Sequence, residues 1–181
     1  MRHPRTRELL DYLDSQREAL RIAFEKVPPA LRERVPAPGC WSAAGVIEHL
    51  AMVEDGVNSR LKQRIQEACR EGLGPELATD PVLPSLTLDH LFDRSTRFAA
   101  REAVCPTGLP SGAAWSALKR AGDAVRETLM AGDGLALGTL TIPHPRFGAQ
   151  SAYYFFAFVG AHERRHAAQL DEIADKLSRN G

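Results

Sequence analysis

Leu9, Leu13, Leu20, Phe24 and Val27 recur at steps of three, four or seven, the spacing that lines side chains along one stripe of an α-helix. This predicts a first helix near residues 5–27. Pro28-Pro29 stops it, because neither proline can donate a helix hydrogen bond. A second stripe follows a Pro/Gly-rich loop, with Ser42 as its N-cap. It carries Val46, His49, Leu50, Val53, Val57 and Leu61 and runs to about Gly72. Residues 72–86, with two glycines and three prolines, are a loop. Thr87 can cap a short helix through Leu88, Leu91, Phe92 and Phe98. Ser111 can cap a third long helix to about Met130, with Trp115, Leu118, Val125 and Leu129 inward. The β-formers between Leu135 and Ile142 have no evident partner, so residues 131–148 are expected to be loop. The last helix is expected from about Ala149 to Leu177, on the stripe Phe155, Phe158, Val159, His162, His166, Gln169, Leu170, Ile173 and Leu177. Four long amphipathic helices and one short extra helix predict an all-α fold, a four-helix bundle.

The 181 residues suit one domain spanning 1–181. With 23 Lys plus Arg against 23 Asp plus Glu, no basic field exists to attract nucleic acid or an anionic membrane. The longest strongly apolar stretch, Ala152 to Ala161, falls well short of the ~20 residues of a membrane helix. The amphipathic N-terminus does not read as a secretory signal. Three scattered cysteines, Cys40, Cys69 and Cys105, read as reduced thiols in a cytoplasmic protein.

The candidate chemistry lies in the histidines. His162 and His166 are four apart, neighbours on one helical face, and His49 sits on the inward stripe of the second helix. Facing helices that present inward donors are how bundles build metal sites. Three neutral imidazoles suit Zn²⁺, Ni²⁺ or Fe²⁺ and leave a position for water or substrate. The plainer alternative is a set of core histidines hydrogen-bonded between helices. His162-Glu163-Arg164-Arg165-His166 also matches the H-E-x-x-H signature of zinc proteases. The positions that extend that motif hold Gln169 and Glu172, where it needs glycine and histidine. No substrate-binding strand is evident either, so a protease is set aside.

Further segments carry a resemblance. Pro38-Gly39-Cys40-Trp41-Ser42 followed by Ile47-Glu48-His49-Leu50, then Cys105-Pro106-Thr107-Gly108 and the helix beginning at Ser111, are similar to the DinB-like superfamily. His144-Pro145-Arg146-Phe147-Gly148 with His162-x-x-x-His166-x-x-Gln169 resembles that family's closing segment. The resemblance implies an up-down-down-up four-helix bundle, often a homodimer, with a divalent transition metal held by His49, His162 and His166. It further implies a metal-dependent enzyme that activates a low-molecular-weight thiol, or water, for transfer or hydrolysis on a small-molecule substrate. The alternative is a non-enzymatic bundle whose metal is structural or absent.

Of the other residues, Glu163 adjoins a ligand and is the candidate general base, or else a salt-bridged helix residue beside Arg164 and Arg165. Gln169 can orient a ligand histidine or bond helix to helix. His144 is expected as a turn residue or else a pocket residue, Cys40 as a small buried hydrophobe rather than a reactive thiol, and Tyr153 to Phe158 mostly as core, with some able to wall a substrate pocket. His90 and His3 carry no case.

Overall fold

The computed structural model describes residues 1–95, 99–144 and 146–179. Its long helices are α1 (Pro4–Glu25), α2 (Ala43–Arg70), α4 (Ser111–Ala131) and α5 (Ala152–Arg179), with a four-residue α3 (Asp89–Phe92) between α2 and α4. Local chemistry sets most ends. Pro4 occupies the first turn of α1, where its missing N–H costs nothing. The Ser42 hydroxyl accepts the Gly45 N–H at 3.0 Å, the expected cap of α2. Gly72, at φ 84°, takes the left-handed conformation just beyond α2.

Three expectations are corrected. Ser111 is the first residue of α4 and not its cap: the Pro110 carbonyl opens the helix, and Glu33 Oε1 takes the orphan Ser111 N–H at 2.7 Å. Thr87 does not cap α3, which begins beyond Leu88 without a side-chain cap. Phe98 lies outside the described residues. Residues 131–148 are not all loop: β1 (Thr141–His144) pairs antiparallel with β2 (Gly148–Ser151), placing Thr141 opposite Ser151 and His144 opposite Gly148. The partner strand lies where the sequence suggested the first turn of the last helix. Gly148, at φ 72°, bars that helix, and α5 starts after Ser151, whose hydroxyl accepts the Tyr154 N–H.

The helices pack around two apolar clusters. One joins Leu9 and Leu13 of α1, Val57 and Leu61 of α2, Val125 and Leu129 of α4 and Phe155 and Phe156 of α5. The other joins Leu20 and Phe24, Ile47 and Leu50, Leu118, and Leu170 and Ile173 of the same four helices. The early residues of α1 and α5 share a cluster with the late residues of α2 and α4. The path is therefore up-down-down-up, as expected. Because α2 and α4 run the same way, residues 71–110 must carry the chain back along the bundle.

Between the two clusters, at one level of the bundle, the helices turn polar side chains inward. Arg17 of α1, Glu54 of α2 and Glu163 of α5 meet there, and so do His49, His162 and His166. The helices come close: a Cβ added at Gly160 of α5 would lie 2.6 Å from the ring of Tyr12 on α1. Among the described residues no helix is long and apolar enough to cross a membrane.

Candidate metal centre

The structure brings His49, His162 and His166 together, each able to turn one nitrogen toward a common point, with those nitrogens within 4.8 Å of one another. Hydrogen bonds fix two of the tautomers. His49 Nδ1 lies 2.7 Å from the Val104 carbonyl, which can only accept, so Nδ1 carries the proton and Nε2 offers a lone pair. His166 Nδ1 lies 2.7 Å from Gln169 Oε1, with the same consequence. Gln169 thus orients a candidate ligand, the first of the two roles considered for it. His162 Nε2 is 3.0 Å from His166 Nε2. Two nitrogens each about 2.0–2.1 Å from a single ion would also lie about 3 Å apart, so the donor set fits a divalent transition metal. His162 Nδ1 is buried with no partner among the described residues. This ring is oriented by packing instead, stacked on Phe158 at 5.3 Å and 13°.

Burial keeps all three rings neutral, the form a ligand needs. His166 is pushed down to about 3 by burial and by neighbouring His49, against the raising effect of Gln169. His162 is held well below the usual histidine range by burial, then by His166 and His49. His49 is lowered by burial, partly opposed by the Val104 carbonyl. Trp41 covers His49, its ring 4.8 Å away.

Glu163 is placed elsewhere. It is buried and takes two hydrogen bonds on Oε1 from Arg17, from Nε at 2.8 Å and from Nη2 at 2.5 Å. The same Arg17 donates to Glu54 Oε2 at 2.8 Å and to the Leu118 carbonyl. Glu163 does not line the cavity that exposes the histidines. Its second oxygen and Glu54 Oε1 are buried without partners among the described residues. Glu54 is raised well above the usual carboxylate range by burial, then by Glu163, with Arg17 only partly offsetting both.

Residue Glu48, beside His49, was not singled out from the sequence. Its carboxylate accepts from the Thr107 hydroxyl and from the N–H groups of Thr107, Gly108 and Leu109, at 2.6–3.0 Å. It thereby ties the returning crossover to α2, three residues from the Val104 carbonyl that fixes His49. No spacing rule points to it, because its partners lie about 60 residues away on irregular chain.

The histidines open into a cavity of about 650 Å³. Among the described residues, Arg60, Arg94, Arg101, Arg146, Arg165 and Lys176 line it, against one carboxylate, Glu172. Arg94 grips Glu172 with two 2.7 Å hydrogen bonds, and buried Arg165 donates to the carbonyls of Leu91 and Asp93. His144 also lines it and is a turn residue as expected: its Nδ1 accepts the N–H groups of Arg146 and Phe147, both at 3.1 Å. Cys40 is not buried as expected. It is exposed at the cavity wall, because the loop before Trp41 turns it outward. Tyr153 to Phe158 are core, with Phe158 also forming part of the wall.

Fold and site together define a four-helix bundle with a three-histidine candidate metal group at its polar mid-level. The sequence pattern of the DinB superfamily matches residues 12–170, and the chain belongs to that superfamily. It is 30% identical over 152 residues to the uncharacterized protein YuaE of Bacillus subtilis (strain 168), covering 80% of this chain and 83% of that one. Among solved structures, TT2238, a four-helix bundle protein, superposes with a TM-score of 0.55 at 22% identity, covering 91% of this chain and 98% of that one. That likeness confirms the fold.

Proposed function

We propose that the protein is a metal-dependent enzyme acting on a small molecule in the 650 Å³ cavity, with His49, His162 and His166 holding one divalent transition metal. The observation that carries this reading is the pair of fixed tautomers. The Val104 carbonyl and Gln169 Oε1 each hold a proton on Nδ1, so the Nε2 lone pairs of His49 and His166 converge on the group that includes His162. A His162–His166 hydrogen bond accounts for the tautomer of His166 alone, whereas His49 brings a further lone pair to the group.

An ion held there would supply Lewis-acid chemistry, lowering the pKa of a thiol or water so that its anion is available near neutral pH. The chain's own residues do the rest. Val104 and Gln169 orient donors, Trp41 and Phe158 shield two of the rings, and the cavity admits a substrate beside them. The catalytic reading is favoured over a structural metal because structural zinc normally closes its tetrahedron with a fourth protein ligand. Among the described residues the group comprises three, facing a cavity. Glu163 serves this reading by bonding α5 to α1 through Arg17.

Elemental analysis of untagged protein tests the proposal. Near-stoichiometric zinc, nickel or iron in the wild type, lost in His49→Ala and His166→Ala, is expected. Wild-type protein that neither carries nor takes up such an ion overturns it.

A further inference from the structure

The whole chain is electrically neutral, with 23 basic and 23 acidic residues, yet among the described residues six cations and one carboxylate line the cavity. Part of that excess is local, since the charges of Arg60, Arg101 and Arg146 all act on His144. Arg60 of α2, Arg101 of the crossover, and His144 and Arg146 of the β-hairpin come from three separate parts of the chain and face the same space. Neither Arg60 nor Arg101 has a carboxylate partner among the described residues. Arg60 is positioned all the same: its Nε donates to the Gly56 carbonyl at 3.2 Å, and its guanidinium lies 5.6 Å from the centre of the Phe155 ring. Its terminal nitrogens have no hydrogen-bond partner among the described residues. His144 is fixed in the complementary tautomer. With Nδ1 accepting two backbone N–H groups, its proton sits on Nε2, which makes the ring a donor.

We infer that Arg60, Arg101 and His144 form an anion subsite that selects a small substrate bearing a carboxylate or phosphate group. The inference rests on the reading of this cavity as the substrate site. Guanidinium groups match planar carboxylates and phosphates through paired N–H donors, and cations facing one cavity raise the local concentration of anions there. Burial, reinforced by Arg101, lowers the Arg60 pKa, and burial together with Arg60, Arg101 and Arg146 pushes His144 down to about 4, so the ring stays a neutral donor at neutral pH. The subsite also lies within reach of the histidines. Phe158 bridges the two, 5.5 Å from the His144 ring and 5.3 Å from the His162 ring, so a molecule spanning the Phe158 wall touches both.

Calorimetric titration of metal-free, untagged protein with succinate, inorganic phosphate and the neutral diamide succinamide tests this. At least one dianion is expected to bind and succinamide is not, and the stronger of the two dianions shows whether the group is a carboxylate or a phosphate. Arg101→Gln, at an exposed position, should weaken that anion about tenfold, and the Arg60→Gln/Arg101→Gln pair about a hundredfold. Lys119→Gln, an exposed cation that does not line the cavity, should leave it unchanged. Absence of dianion binding, equal binding of succinamide, or a double variant that binds within threefold of wild type overturns the inference. Because the titration is metal-free, its result is independent of whether the histidines take up an ion.

Discussion

His162 Nε2 and His166 Nε2 lie 3.0 Å apart, while Gln169 Oε1 holds the His166 proton on the far side of its ring. The near nitrogen of His166 therefore offers only a lone pair. Either His162 donates a proton across the gap, or both lone pairs meet a cation. His49, whose proton is tied to the Val104 carbonyl, brings a third lone pair to the same place, and that arrangement favours the cation.

The first consequence concerns Gln169. If its amide orients a ligand, Gln169→Ala should weaken metal affinity by about 10- to 100-fold, the usual effect of removing a group that holds a metal-bound histidine. Chelator competition measures it. Folding stability should change little, since Gln169 lies at the open cavity wall.

A second prediction separates Glu163 from the chemistry. Its contacts are with Arg17, so Glu163→Gln should retain the metal content of wild type. Arg17→Ala, by contrast, leaves two buried carboxylates sharing no cation and should cost about 3–5 kcal/mol of stability. Denaturant unfolding checks the second statement, and metal analysis of Glu163→Gln the first.

Glu54 gives the protein a pH signature. Burial, and then Glu163, raise its pKa in the folded state. A carboxyl raised in this way contributes stability fully below its unfolded value of about 4.3, and that contribution is lost as pH rises through the folded value. Glu54→Gln should therefore gain on the wild type as pH is raised from about 4.3 toward neutrality. Thermal unfolding across that range measures the difference, and two curves that stay parallel would count against the assignment.

Close packing of α1 on α5 supports the same level of the bundle. A methyl at position 160 would sit 2.6 Å from Tyr12 Cε1 and 3.0 Å from Cδ1, so Gly160→Ala should destabilise by about 1–3 kcal/mol. In a Tyr12→Ala background the same substitution should cost less, which a double-mutant cycle measures.

Much of this was legible in the chain because it is periodic. His162, His166 and Gln169 share the stripe of Phe158 and Leu170, and His49 shares that of Leu50 and Leu61, so inward direction follows from spacing. The burial of Glu163 was not legible, because its sequence neighbours Arg164 and Arg165 suggest a solvated face. Its actual partner, Arg17, is 146 residues away and reaches it only once α1 packs on α5. Arg94, Arg101 and Arg146 come from irregular chain, where no period tells which way a side chain points. The hairpin was hidden because its second strand, Gly148–Ser151, contains no β-branched or aromatic residue, and its pairing depends on a turn ended by Gly148.

Anomalous diffraction from crystals soaked in zinc tests the central claim most directly. The account predicts one strong peak about 2.0–2.2 Å from a ring nitrogen of each of His49, His162 and His166, with no fourth protein ligand, lost in His166→Ala. Soaked crystals without a peak among these three rings, retaining a direct His162–His166 hydrogen bond, would contradict it.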